Sequence, residues 1–514
     1  MKKYDAIVVG AGNAGIGAAA ALASQGHSVL VVEKQALAGG YAASFIRGRF
    51  EFDASIHALL FDFPPLADPT FRECWERLGI REPMIEITGG SLNVSLDENG
   101  TRREIEIPDG LDGFYAMAEK EVPGSREQLD RFIRIGKQIL YGSVEFGNIM
   151  FGKGDPAELE KKRAAFAENY PDYNEYASLS VEEAFDRMKI SRELRQLIGL
   201  WWFYAGTRFE DLPFMLYFGI FYGCVAYKAS FPAHTAHGYL AELEKLILDH
   251  GGEIFYNTEV TEIIVRHGRV CGVKTDRGET FETGHVICNA SPGLAYGKLI
   301  RRSEVRPSAL KLVHSLKDNF SFFIIWLGLN ATAEQIGIRH HHQFINTTND
   351  YHATHEAGYS LEGPFCMGGL CPNITIPDFS PEGTCVLSIS VPIQPCAFEG
   401  LNQEEYVRLK NDLAGRIIDE YERISGLDLR SYIEEIEIAT PATLARYGNT
   451  SGGALGYQIT PANHPIAAQV SGLFENYIKG LDFVGQFSGF LGYANNPLGI
   501  AAGDRIGKSI REGR

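Results

Sequence analysis

Residues 6–15 read Ala6-Ile7-Val8-Val9-Gly10-Ala11-Gly12-Asn13-Ala14-Gly15, and this stretch decides the fold. Four consecutive apolar residues make a short strand buried on both faces. The glycines after it follow the spacing G-x-G-x-x-G. A helix-like run continues with Ala19 and Leu22 turned inward and ends at Gly26, Ser28 to Val32 forms a second buried strand, and Glu33 stands at its end. Each part has a physical role. Gly10 permits the tight turn from strand to helix, Gly12 lets the backbone approach a pyrophosphate, and Gly15 lets helix and strand pack closely. The helix N-terminus offers free N–H groups and a partial positive charge to phosphates. Glu33 is placed to accept hydrogen bonds from ribose hydroxyls and disfavours a ribose phosphate. With strands on both sides, the motif predicts a dinucleotide-binding unit.

The rest of the chain sets bounds on the possibilities. With 514 residues, 45% of them hydrophobic, it is long enough for two or three packed units. A net charge of -17 argues against nucleic acid and against general attraction to anionic lipid surfaces. The eight cysteines form no C-x-x-C pair, which predicts reduced, mostly buried thiols and a reducing, cytoplasmic location. The N-terminus shows no export signal. The longest uncharged apolar run, Leu212 to Tyr227, is interrupted at Pro213 and falls short of the ~20 residues of a spanning helix, so at most peripheral membrane contact is expected. There is no Gly-x-Ser-x-Gly elbow, P-loop or kinase signature to support hydrolysis or phosphoryl transfer.

A second glycine pair, Gly39-Gly40-Tyr41, follows Glu33 closely. It resembles the large FAD family that includes amine oxidases and phytoene desaturases, where such a pair carries the chain over the flavin's ribityl and pyrophosphate region. Further motifs narrow the resemblance to the phytoene desaturase, carotenoid isomerase and retinol saturase group. They are Phe52-Asp53 leading to His57, Gly251 to Pro292, Ile376-Pro377-Asp378 to Pro381-Glu382-Gly383, Thr440-Pro441 to Gly452-Gly453, and Gly480 to Gly485 with Pro497-Leu498-Gly499-Ile500. The chain departs from the group at Gln486, where an acid is common, at Ser55, where a glycine is common, and at Ala236-His237-Gly238, where a glycine pair is usual.

The resemblance implies an α/β fold in which a discontinuous Rossmann-like FAD-binding domain (residues 1–85, 230–310 and 456–514) receives an α+β substrate domain (86–229 and 311–455). It extends the cofactor contacts beyond Gly10, Gly12, Gly15 and Glu33 to Lys34, Gly39, Gly40, Tyr41, Val260, Gly485, Gln486, Asn496, Leu498, Gly499 and Ile500. Val260 would pair its backbone with the adenine, and the last helix would point its N-terminus at the flavin ring. His57 and Tyr493 are the candidate catalytic residues. The implied reaction is desaturation or saturation of C–C bonds in a lipophilic polyene by hydride transfer with flavin N5, with NAD(P)H or another redox partner. Redox-neutral double-bond isomerisation on reduced FAD and a non-catalytic lipid-binding flavoprotein are the alternatives. Oligomeric state is left open.

Two other clusters invite a reading. Trp201, Trp202, Phe203, Tyr204, Phe209, Phe214, Phe218, Phe221 and Tyr222 are either core or the wall of a long apolar tunnel, and both can hold. His340-His341-His342, with His352 and His355, has no acid or cysteine at ligand spacing, so a solvated loop or strand edge is expected rather than a metal site.

Overall fold

The computed structural model describes residues 2–55, 58–63, 70–97, 99–150, 155–448, 452–461, 477–488 and 495–513. At the centre of the first layer lies Ala6–Val9, every residue buried, as a run of β-branched and small apolar residues requires when both faces of the sheet are covered, one by helices and the other chiefly by a second sheet. Val29–Val32 pairs with it on one side and Val286–Cys288 on the other, both parallel. Glu253–Phe255 and Leu481–Phe483 complete a five-stranded parallel sheet. Its strands come from three separated stretches of the chain. Beside it, Val260–Arg266, Arg269–Thr275 and Thr280–Glu282 form a three-stranded antiparallel sheet.

Eight of the twelve residues of helix Asn13–Ser24 are alanine or glycine, and it has almost no solvent-facing side. The C-terminal helix Asn495–Arg511 lies against it. A Cβ on Gly499 would fall 2.2 Å from the Ala14 carbonyl oxygen, and one on Gly503 would fall 2.4 Å from that of Ala18. Gly507, one turn further, faces Gln25. Three glycines four residues apart thus let two helix backbones touch.

A seven-stranded sheet is built from Ser91–Leu96 and Arg102–Ile107 together with five strands between residues 321 and 439. It has two unlike faces. One carries Leu92, Val94, Ile325, Leu327, Ile345, Met367, Leu387 and Ile389 and packs on the inner side of helix Gln403–Ser425 through Leu413, Ile417, Tyr421 and Ile424. The other is fixed by the register. One rung runs Ile107, Ser91, His342, Leu370, Ser388, Trp326, Glu437. The next runs Ile105, Asn93, Phe344, Gly368, Ser390, Ile324, Ala439. Above this second face sits a helical layer from residues 110 to 226, whose core is the aromatic cluster noted in the sequence. Gly368 makes that contact close, since a Cβ there would lie 2.6 Å from the Phe203 ring. No described helix is long and apolar enough to cross a membrane.

Gly503→Val should force the first and last helices apart, at a cost of about 1–3 kcal/mol typical of overpacking. A lower thermal unfolding midpoint would report it, whereas Gly297→Ala, at an exposed glycine with open space around it, should stay within about 0.5 kcal/mol of the parent.

Candidate functional site: a glycine cradle joined to an aromatic arm

One continuous cavity of about 970 Å³ joins the five-stranded sheet to the two-faced sheet. Its first end is a cradle of backbone. Gly10 and Gly39 take positive φ of 96° and 109°, and Gly40 takes 60°, so L side chains are disfavoured at all three. Gly39 N–H donates to the Ala11 carbonyl at 2.8 Å, which lays the second glycine pair directly on the first. Helix Asn13–Ser24 begins at Gly12 with no side-chain cap and no acid in its first turn. Its free N–H groups are therefore open to an anion. Glu33 is buried; its carboxylate accepts from Ala11 N–H at 2.7 Å and Gln35 N–H at 2.8 Å. Burial pushes its pKa up, against the pull of those two N–H groups.

A short helix, Pro441–Gly448, covers this end. Its last carbonyls are held by three side chains of the cradle: Tyr41 Oη donates to Leu444 O at 2.9 Å, Lys34 Nζ to Arg446 O at 2.9 Å, and Gln35 Nε2 to Tyr447 O at 3.3 Å. Burial lowers the Lys34 pKa.

Gly10, Gly12, Glu33, Lys34, Gly39, Gly40, Tyr41, Val260, Gly485 and Gln486 all line the cavity. Gly15, Asn496, Leu498, Gly499 and Ile500 are not among its lining residues. Gly15 is pressed on the Gly10 carbonyl, Gly499 serves the helix–helix contact, and Ile500 is fully buried in the core. Asn496 donates to Asn13 O at 2.9 Å and accepts from Trp75 Nε1 at 3.0 Å, holding the last helix in place. His57 and Tyr493 lie outside the described residues.

Asn289 was visible in the sequence only as a strand end, yet it is central. Its side chain reaches between the segments so that Oδ1 accepts from Gly12 N–H at 3.0 Å and Nδ2 donates to Val484 O at 3.2 Å. A Cβ on Gly12 or Gly485 would fall 2.2 or 2.4 Å from this amide. Close by, buried Gln486 Nε2 has no hydrogen-bond partner, while its Oε1 accepts from Asn495 Nδ2 at 2.5 Å. Uncapped helix, glycine cradle and unused amide donor together fit a dinucleotide with a polar ring system.

The second end is an arm between the helical layer and the sheet. Trp201, Phe203, Tyr204, Leu212, Leu216, Ile220 and Cys224 form one wall, and Ser91, His342, Phe344, Ser390, Ile324 and Trp326 the other. The aromatic cluster is thus divided: Trp202, Phe214, Phe218 and Phe221 are core, and Trp201, Phe203 and Tyr204 face the cavity. Burial holds the Cys224 thiol at about 12 and raises the Tyr204 phenol well above its ordinary value, so both stay protonated. Ser390 is 1% exposed and its hydroxyl has no hydrogen-bond partner, an arrangement that costs about 1–3 kcal/mol.

His340 and His341 lie in the loop that leads into a strand, as expected, but none of the three histidines is exposed, which corrects the expectation that the run is solvated. His341 is fully buried with Nδ1 2.7 Å from the Thr375 hydroxyl, and His342 opens the strand His342–Asn346 on the cavity face. Among the described residues no group of three His, Cys, Asp or Glu is placed to hold a metal.

Asp53 lies just behind the wall formed by Ala54, Ser55 and Trp326. Its Oδ1 accepts from Ala236 N–H at 2.9 Å and its carbonyl from Trp326 Nε1 at 2.9 Å. Complete burial, helped by the nearby charges of Glu51 and Glu82, raises its pKa from 3.8 to about 8. A neutral acid therefore stands there at neutral pH.

Comparison with known proteins agrees with this geometry. A family profile described as an NAD(P)-binding Rossmann-like domain matches residues 8–77. The fold recurs in a putrescine oxidase bound to putrescine, with a TM-score of 0.65, 14% identity and 99% of each chain covered. It also recurs in an oxidoreductase from Methanosarcina mazei, with a TM-score of 0.62, 15% identity and coverage of 98% of this chain and 99% of that one. Fold and site thus define a Rossmann-like α/β enzyme that binds a dinucleotide. Among curated proteins, the chain is 24% identical to a chloroplastic prolycopene isomerase of Daucus carota, covering 88% of this chain and 72% of that protein. It is 22% identical to an all-trans-retinol 13,14-reductase of Danio rerio, covering 86% and 76%, and 24% identical to a neurosporene-forming phytoene desaturase of Cereibacter sphaeroides, covering 74% and 71%. The chain fits this carotenoid desaturase and isomerase group, as its motifs imply.

Gly12→Val should drive a branched side chain into Asn289 and leave protein without bound dinucleotide, measurable as nucleotide released on denaturation. Asp53 gives a pH signature. Its folded pKa is raised, so the stability it contributes is full below about pH 4 and is lost as pH rises through about 8. Asp53→Asn should flatten that decline in denaturant unfolding followed from about pH 5 to about pH 9, a difference on the order of a few kcal/mol.

Proposed function

We propose that this protein is an FAD-dependent oxidoreductase that desaturates or saturates C–C bonds of a lipophilic polyene. The observation that carries the reading is the single cavity running from the glycine cradle into the aromatic arm. A dinucleotide held at one end and an apolar chain lying in the other would meet without leaving the protein. We assign residues 1–85, 230–310 and 456–514 to the FAD-binding domain and 86–229 and 311–455 to the substrate domain, a division supported by the separate origins of the two large sheets.

When bound, FAD supplies hydride exchange between flavin N5 and a substrate carbon. The chain's own residues do the rest. The cradle N–H groups and Glu33 hold the pyrophosphate and ribose. Gln486 Nε2 offers a donor to the polar edge of the ring. Trp201, Phe203 and Phe344 exclude water and restrain the chain, so that reacting atoms can approach to ~3–3.5 Å. His57 and Tyr493 belong to the proposal as the candidate proton-handling or positioning groups. Electrons come from or go to NAD(P)H or another carrier, and a lipophilic substrate makes contact with a membrane surface part of the same proposal.

A second reading has its own support, because several of the similar curated proteins are prolycopene isomerases. It keeps the cofactor and cavity but leaves the substrate's composition unchanged.

The purified protein should show a flavin absorbance spectrum. Anaerobic NAD(P)H bleaching it would support a saturase or a reductively primed isomerase; bleaching by dithionite alone would support a desaturase with another acceptor. Incubation with a polyene should change product mass by one hydrogen pair in the main reading and shift only the absorption spectrum in the second. Protein that binds no flavin when supplied with FAD would overturn both.

A further inference from the structure

The cradle end of the cavity is covered by a part of the chain held less firmly than the cradle itself. The cradle's segments are bonded backbone to backbone, Gly39 N–H to the Ala11 carbonyl, and are locked by the Asn289 carboxamide. Helix Pro441–Gly448 is different. Thr443, Leu444, Tyr447 and Gly448, one face of the helix, line the cavity, and Pro441 alone of its eight residues is buried. Moving it would therefore expose little core.

Its two ends are held in different ways. On the N-terminal side, strand Ile433–Ala439 pairs with Ser321–Leu329 and is pinned to hairpin Ser44–Asp53 by Arg47–Glu437 at 2.6 Å and Arg49–Glu434 at 2.7 Å. Fully buried Thr440 follows, its hydroxyl 3.0 Å from Tyr406 Oη of helix Gln403–Ser425. Tyr406 Oη also lies 3.5 Å from the Thr443 hydroxyl and so clasps the first turn. On the C-terminal side the helix is held by side chains of the cradle, through the bonds from Tyr41, Lys34 and Gln35 to the carbonyls of Leu444, Arg446 and Tyr447. The last two carbonyls have no partner inside the helix, and the Lys34 charge suits that end of its dipole. Gly448 packs so closely here that a Cβ would lie 2.2 Å from the Tyr41 hydroxyl. Beside these bonds, Ala36, Leu37 and Tyr447 line the cavity and are exposed, so the seam reaches solvent.

Given the cradle as a dinucleotide site, on which this rests, we infer that helix Pro441–Gly448 is a door through which the dinucleotide enters and leaves, hinged at Thr440 and latched by Lys34, Gln35 and Tyr41. The other route begins where exposed Asp109 and Lys228 line the cavity and runs the length of the arm. Phosphates taking it would lose water against Trp201, Phe203 and Phe344 before reaching the glycines, a cost that the door avoids. Bonds between door and frame act equally on the empty and the occupied cradle. Loosening them speeds entry and release together and leaves the affinity where it was. Loss of a side chain that grips the ligand instead quickens release and weakens binding.

Entry is followed by quenching of flavin fluorescence when FAD is mixed with the flavin-free full chain, and release by exchange of bound radiolabelled FAD for excess unlabelled FAD. Tyr406→Phe lies outside the cavity and removes the clasp; Tyr41→Phe removes part of the latch. Each should raise both rates by about threefold or more, the effect of one lost hydrogen bond, and keep the dissociation constant within about twofold. Unchanged rates in Tyr406→Phe, or faster release without faster entry in either variant, overturns the inference. Hydrogen exchange in the absence of ligand provides a second measurement, because a helix this short does not hold its own amides once it swings free. Amides of residues 444–448 should exchange faster in both variants than in the parent, while those of helix Asn13–Ser24 stay as protected as before. Equal exchange at 444–448 in parent and variants overturns the inference. Protein that takes up no FAD removes the flavin reading alone, and exchange at 444–448 still decides whether the helix opens as a door.

Discussion

The cradle depends on one carboxamide. Asn289 bridges Gly12 N–H and the Val484 carbonyl, and so ties together three segments that are far apart in sequence. The glycines at 12 and 485 are needed as much for this amide as for any ligand, because a Cβ at either would collide with it. The second glycine pair then stacks on Gly12, and the last helix is drawn against the first through Gly499 and Gly503. Backbone packed on backbone leaves few rotamers to settle when a ligand arrives, so the entropy of forming the site falls on folding rather than on binding.

The arm follows from a different constraint, the parity of a β-strand. Each strand of the seven-stranded sheet sends alternate side chains to opposite sides. One side is claimed by helix Gln403–Ser425 and is uniformly apolar. The other side cannot be uniformly apolar without becoming a second closed core, and Ser91, Asn93, His342, Ser388 and Ser390 interrupt it. These polar residues weaken packing above the sheet and keep a space open there. Gly368 compensates locally by admitting Phe203, so the helical layer still seats firmly.

The same parity explains how much could be read in advance. Gly10, Gly12 and Glu33 were legible because strand, turn and helix lie within one short stretch, and local geometry dictates their roles. The glycine pair at 39–40 was legible for the same reason. The roles of His341 and His342 were not. Three histidines in a row carry no periodicity, and whether one faces the core or the cavity is decided by pairing with Ser91 and Leu370, remote in sequence. Gly499 was legible as a prominent position, but its helix–helix contact was not. Its spacing to Gly503 and Gly507 is that of a helix contact, and only the position of the first helix shows what it touches. Asn289 had no signal of its own, since an asparagine after a buried strand reads as an ordinary turn.

The electrostatics of the wall bear on the chemistry it can host. Asp53 is neutral behind it, and Cys224 and Tyr204 keep their protons. The carboxylate on the rung of Trp326, Glu437, is engaged by Arg47 at 2.6 Å, and Cys224 supplies no thiolate to attack or deprotonate a substrate. A C–C bond with no neighbouring carbonyl has no acidic proton for such groups to take, so a strong base would be of little use there. A dry, charge-poor arm is instead suited to transfer of hydrogen with its electron pair, in which charge need not build up on the hydrocarbon.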